Sequence, residues 1–171
     1  MKFIKYHALG NDYIVLDPAH NPPLLSERRI RRICDRHFGI GSDGILYGPL
    51  HGEDGIDLRI FNPDGSEAEK SGNGIRIFSK YLVDAGYIQN PRFIVKTLSG
   101  EAVVTVIDAE SGIIEVDMGP VSFHSSEIPV LGETREVVDE PVRVGGTEYR
   151  MTCLTIGNPH CIIPLKKVSA E

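Results

Sequence analysis

The chain has no tryptophan, holds only three cysteines in 171 residues, and nowhere strings together the roughly 18 apolar residues that a membrane-spanning helix needs. Its start, Met1-Lys2-Phe3-Ile4-Lys5-Tyr6, reads as a strand rather than a signal peptide, so no membrane partner is expected and the protein is placed in the cytoplasm. Cys34, Cys153 and Cys161 are odd in number and unpatterned, which fits reduced thiols rather than a disulfide framework. Cys153, His160 and Cys161 lack the paired spacing of a metal site, and no metal is expected. Positive charge is scarce as well: 18 Lys and Arg stand against 24 Asp and Glu, a net charge of -6, which argues against nucleic acid as a partner. The one basic run, Arg28, Arg29, Arg31 and Arg32, reads as the solvated face of a helix.

Apolar residues make up 41% of the chain, enough for a core and too many for a disordered segment. The length suits one domain, or one domain and part of another. Residues 3–7 and 13–16 predict two short strands around Gly10-Asn11-Asp12, where Asn11 reads as a turn former. Asn21-Pro22-Pro23 breaks the chain, and Ser26 can cap a helix over residues 25–35 that buries Ile30, Ile33 and Cys34. Gly39-Ile40-Gly41-Ser42-Asp43-Gly44 reads as a loop before a strand at residues 45–47. After the polar turn His51-Gly52-Glu53-Asp54-Gly55, Ile56, Leu58 and Ile60 alternate with Asp57, Arg59 and Phe61, as in a half-buried strand. From Phe93 onward the pattern is nearly all β, with candidate strands at residues 93–97, 101–107, 112–118, 135–138, 141–144, 147–152 and 154–156. Strands around a few helices predict an α+β fold.

One stretch organises the rest. The strand ending in Phe61 delivers Asn62 into a polar turn, then Gly72 and Gly74 flank Asn73, and a helix follows. That helix carries Ile75, Phe78 and Leu82 on one face and Arg76, Lys80 and Asp84 on another, with Gly86 as its stop. Lacking Cβ atoms, the two glycines allow a sharp turn and close approach of a ligand. The first amides of the helix have no acceptor inside it, so a carboxylate placed there gains hydrogen bonds and the favourable end of the helix dipole. The same residues also suit a purely structural role, with Ser71 or Asn73 as N-cap, or Ser66 and Glu69 as a capping box.

Ile60-Phe61-Asn62-Pro63-Asp64-Gly65-Ser66-Glu67-Ala68-Glu69-Lys70-Ser71-Gly72-Asn73-Gly74-Ile75-Arg76 closely resembles the signature of the diaminopimelate epimerase family. Lys5-Tyr6-His7-Ala8-Leu9-Gly10-Asn11-Asp12-Tyr13-Ile14-Val15 is similar to that family's opening motif, Arg36-His37-Phe38-Gly39-Ile40-Gly41-Ser42-Asp43-Gly44 to its second, and Gly157-Asn158-Pro159-His160-Cys161 to its fourth. These ordered motifs span nearly the whole chain. The resemblance implies two similar halves, each a curled antiparallel β-sheet wrapped around a central helix, with substrate between them. Transferred here, it makes residues 1–118 the N-terminal domain, with a boundary near Met118-Gly119-Pro120. Residues 119–171 become the opening strands of a second, incomplete half.

The resemblance further implies cofactor-independent interconversion of LL- and meso-diaminopimelate, an amino-acid substrate of lysine and cell-wall synthesis. One base removes the α-proton and another delivers a proton to the opposite face. Without a Schiff-base cofactor the carbanion must be stabilised electrostatically, and the Gly72 and Asn73 amides are candidates for that task. Asn11, Asn62, Asn73 and Asn158 form a polar set suited to a zwitterion, because asparagine binds charge without adding any. His160 matches the family histidine that serves the first catalytic cysteine, although a lone histidine also reads as a structural group. Two departures stand out. Ser71 occupies the position of that first cysteine, and a hydroxyl is a much weaker acid than a thiol. The segment that carries the family's second catalytic cysteine has no counterpart. The chain as it stands is therefore expected to be inactive or impaired. A non-catalytic amino-acid-binding module, or a racemase or isomerase of another amino acid, are the alternatives, and a homodimer is left open.

Overall fold

Alternation along the first hairpin sets up two faces that the rest of the chain fills. β1 (Ile4–Ala8) and β2 (Asn11–Leu16) pair antiparallel from Ile4 opposite Val15 to Ala8 opposite Asn11. They are joined by Leu9 and Gly10, with φ of 55° and 85°, the doubly left-handed geometry of a type I′ turn. Asn11 is therefore the first residue of a strand and not a turn former, and leucine occupies a conformation that ordinarily favours glycine or asparagine. The computed structural model describes residues 1–21, 26–52 and 55–167, so Pro22, Pro23, Leu25, Glu53 and Asp54 of the predicted break, helix start and turn lie outside the described residues.

The chain divides into two compact units, Met1–Met118 and Gly119–Glu171. In the first, β3 (Gly44–Gly52), β4 (Gly55–Phe61), β5 (Glu67–Ala68), β6 (Arg92–Thr97), β7 (Gly100–Asp108) and β8 (Ile113–Asp117) extend the hairpin. The strand order is β1-β2-β3-β4-β6-β7-β8, with β5 on β4. β2–β3 and β4–β6 pair parallel, so the sheet expected to be antiparallel is mixed. Helix α2 (Gly72–Asp84) packs against β1 and β2 at one end of that order and against β7 and β8 at the other, which means the sheet curls around it.

Period two decides which helix each side chain meets. Tyr13, Val15, Leu46 and Ile60 point to α2, whose Ile75, Phe78, Tyr81 and Leu82 join them in one cluster. Ile14, Leu16, Ile45, Tyr47 and Phe61 point the other way, onto Ile30, Ile33 and Cys34 of α1 (Glu27–Cys34). Each large apolar side chain buried in this way stabilises the fold by about 1.5–3 kcal/mol. Because the sheet wraps α2, its apolar surface is wider than the expected stripe: Ile77, Ser79 and Tyr81 are buried as well. Ser26 caps α1 by accepting the Arg29 N–H, and Arg28, Arg29, Arg31 and Arg32 all lie on its exposed side. α2 ends where Gly86, at φ 76°, and Tyr87 donate to the Val83 and Leu82 carbonyls, a Schellman motif.

In the second unit, β9 (Glu140–Val144), β10 (Thr147–Thr155) and β11 (Pro159–Ile162) form an antiparallel sheet in the order β11-β10-β9. The two segments expected at 147–152 and 154–156 are one strand. Residues 135–138 form only an isolated bridge, Glu136 to His124, and β11 was not anticipated. Ile128, Val137 and Cys153 make a small core. Among the described residues no helix is long and apolar enough to cross a membrane.

Gly44 opens β3 where a side chain has no room: an added Cβ would lie 2.6 Å from the Phe61 carbonyl and 2.6 Å from the Tyr13 ring. Gly44→Ala is expected to lower unfolding free energy by about 1–3 kcal/mol through overpacking, read from urea denaturation. An unchanged midpoint would show that β3 shifts without strain.

Candidate active site

Ser71 ends the segment after β5 in an extended conformation, and its Oγ accepts the Gly74 N–H at 3.0 Å. It is the N-cap of α2, so Ser66 and Glu69 do not form the alternative capping box. Ser66 instead closes a turn on Asp64. Gly72 and Gly74 belong to the first helical turn and not to a sharp bend before it. Gly74 is closely packed, since an added Cβ would lie 3.1 Å from Leu46 Cδ2 and 3.1 Å from the Ser71 side chain. The Gly72 and Asn73 amides precede the first intrahelical bonds and open the positive end of α2.

The alternation of β2 brings its polar residues to this helix end. Asn11 and Tyr13 share the face that meets α2. The Tyr13 hydroxyl lies 3.3 Å from Ser71 Oγ, and Asn73 Nδ2 donates to Asn11 Oδ1 at 3.3 Å. Asn11 Nδ2 in turn donates to Asp43 Oδ2 at 3.1 Å, while Arg76 donates to Asn73 Oδ1. Arginine can only donate and an ionised carboxylate can only accept, so the two ends fix both amide orientations. Each amide nitrogen carries a second N–H beyond the bond described.

The opposite face of β2 carries an ion-pair network. Asp12 meets Arg36 at 2.7 Å and Lys5 at 2.7 Å, and Arg36 also reaches Asp43 at 2.6 Å. The hydrogen bonds from Arg36 hold the Asp12 carboxyl well below the usual carboxylate range against the opposing effect of burial, with Lys5 and the Asp43 N–H adding smaller contributions in the same direction as Arg36. The network fixes the Asp43 side chain, whose other oxygen holds Asn11.

Asn62 reaches the same end of the sheet by register, since β4 ends beside the start of β3, and β3 starts beside Tyr13. Its side chain, however, donates to Ser66 Oγ at 3.0 Å within its own turn rather than to the Asn11–Asn73 pair. In the second unit, Asn158 and His160 sit on the exposed β10–β11 hairpin, where His160 Nδ1 lies 2.7 Å from the Asn158 carbonyl. Among the described residues no group of three or more His, Cys, Asp or Glu side chains could hold a metal ion.

The diaminopimelate epimerase family profile matches residues 3–124. The chain belongs to the diaminopimelate epimerase family. It is 50% identical over 172 residues to diaminopimelate epimerase 2 of Nostoc sp., covering 100% of this chain and 60% of the relative. It is 42% identical to the diaminopimelate epimerase of Pelotomaculum thermopropionicum, covering 99% of this chain and 62% of the relative. The chain thus spans about 60% of the length of the curated relatives it matches. Its fold is that of a hydroxyproline epimerase from Agrobacterium vitis, with TM-score 0.63 at 16% identity over 94% of this chain and 50% of that one. A predicted epimerase from Pseudomonas aeruginosa superposes with TM-score 0.60 at 17% identity, over 91% of this chain and 54% of that one.

Within this epimerase-family chain, Ser71, Gly72, Asn73 and Asn11 come together at one helix mouth, while Asn62 stays in its own turn at the same end of the sheet. Sequence reasoning missed Tyr13, Asp43 and Arg76 as parts of the same constellation. For Tyr13 the signal was available, because a residue two positions from Asn11 in a strand must share its face. Asp43 lay in a loop whose path carries no periodicity.

Two measurements test this geometry. Ser71→Ala should lower stability by about 1 kcal/mol, the usual loss for an N-cap hydroxyl, in urea denaturation. No change would show that the cap contributes nothing. Asp12 has a depressed folded-state value, so its contribution is fully present above an unfolded value near pH 4 and is lost as pH falls through the folded one. Unfolding midpoints followed into acid should therefore fall less steeply for Asp12→Asn than for the native chain, and parallel limbs would remove Asp12 from the network's stabilising role.

Proposed function

We propose that the mouth of α2 receives the α-carboxylate and α-amino group of diaminopimelate, as half of a cofactor-independent epimerase site. The observation that carries the reading is the joint placement of Ser71, the Gly72 and Asn73 amides and the Asn11–Asn73 pair at one helix N-terminus. Negative charge grows on the α-carboxylate as the α-proton leaves, and donors aimed at it in advance stabilise that charge without reorganising. Family membership supplies the substrate class, and the four sequence motifs support this particular amino acid. His160 and Asn158 are assigned to the same site by the fourth motif, with His160 as the proton partner of position 71 and Asn158 as a substrate ligand. Residues 119–171 are accordingly read as the opening strands of a second half.

Ser71 limits the chemistry. Its hydroxyl already accepts the Gly74 N–H, and its other neighbour is the Tyr13 hydroxyl, which offers no strong base within this unit. This occupancy favours a second reading, an amino-acid-binding module that keeps the carboxylate site without proton transfer.

Exchange of the α-proton of LL-diaminopimelate with heavy water needs a base on one face only, so it tests position 71 without the second base. The native chain should bind the ligand in calorimetry and exchange it at background rate. Ser71→Cys should raise exchange by about 10²–10⁴-fold, the range a positioned general base contributes. Binding without exchange in either form favours the binding module, and absence of binding in both overturns the site.

A further inference from the structure

The β10–β11 hairpin holds a feature that the proposed chemistry does not use. Cys153 and Cys161 are direct cross-strand partners. The Cys153 N–H bonds the Val137 carbonyl on the far side of β10, and the Thr155 N–H bonds Ser122 on that side too. In a strand the N–H and C=O of one residue point the same way, so Cys153 and Cys161 form a non-hydrogen-bonded pair. In such pairs the Cα atoms stand about 4.5 Å apart and the side chains lie closest, within the roughly 4.4–6.8 Å that a disulfide spans. Both side chains lie on one face of the hairpin. Cys153 is packed with Ile128 and Val137, while Cys161 is exposed. Burial, and then the neighbouring Cys161, pushes the Cys153 thiol up, so the two sulfurs are not equivalent.

We propose that Cys161 and Cys153 form a thiol–disulfide exchange site for small-molecule disulfides of the glutathione type, with Cys161 as the attacking thiol and Cys153 as the resolving one. The exposed Cys161 thiolate displaces one thiolate from the small disulfide and forms a mixed disulfide. Cys153 gives up its proton to solvent, and its sulfur attacks the Cys161 sulfur, forming the Cys153–Cys161 bond and releasing the second small thiolate. The protein loses two protons and two electrons, and the small disulfide, taking up both electrons, leaves as two thiols. The closed loop encloses Gly157, Asn158 and His160, so exchange locks the hairpin that carries the fourth motif.

The whole chain is equilibrated with oxidised glutathione, quenched in acid, alkylated after denaturation and mapped by peptide mass spectrometry. The expected result is loss of two of the three alkylatable thiols, a linked Cys153–Cys161 peptide, an alkylated Cys34, and full recovery after dithiothreitol. Cys161→Ser, at an exposed position, should abolish uptake, and Cys153→Ser should stop at the mixed disulfide on Cys161. In the native chain, three free thiols, a persistent mixed disulfide on Cys161 beside a free Cys153, or a link between two chains through Cys161 would each overturn the proposal.

Discussion

Burial of α2 inside the curled sheet is the constraint from which the polar groups of the first unit take their places. α2 is held almost all round by a curled sheet, so its axis is fixed by apolar contacts from β1 to β8. Once that axis is fixed, its N-terminus must open at the end of the sheet where β2 and β3 begin and β4 finishes. Polar side chains on those strand ends are thereby brought to the helix mouth without any bond of their own being needed to steer them.

The same logic separates the two faces of β2. On the α2 face of β2, Asn11 and Tyr13 meet Asn73 and Ser71. On the other face, Asp12 meets Lys5 and Arg36. Asp43 connects the two, giving one oxygen to Arg36 and the other to Asn11. The neutral amide pair is thus gripped at both ends by charge, Asp43 on Asn11 and Arg76 on Asn73. Neutral donors held by a charged frame can receive a zwitterion without competing for its charged ends.

Much of this was written in period two and period 3.6. The α+β class, the helix after Gly-Asn-Gly, the outward arginines of α1 and the stop at Gly86 all follow from spacing and backbone freedom. What escaped were features that depend on partners distant in sequence. The parallel pairings of β2 with β3 and β4 with β6 depend on the long connections that separate those strands, and nothing in a short window fixes their direction. Residues 135–138 alternate like a strand yet make an isolated bridge, because their backbone bonds are divided between residues 123–125 on one side and Cys153 on the other. Asn11 was misplaced because glycine followed by asparagine signals a turn, while here the turn falls one step earlier, on Leu9 and Gly10. Gly74 was read as a ligand-approach glycine, and it also sits close against Leu46 and the cap itself.

Position 71 shows how one place in a fold can serve two demands that different side chains meet unequally. An N-cap rewards a hard oxygen acceptor, and serine is among the best of them. A general base for an α-proton rewards a group that ionises near neutral pH, which a thiol beside a helix N-terminus does and a hydroxyl does not. On the proposed function, serine therefore keeps the first turn of α2 capped while giving up the proton-transfer role at the same atom. On that reading the demands of stability and of catalysis come apart at this residue, and the surrounding geometry, built by β2, β3 and α2, is the part that both would share.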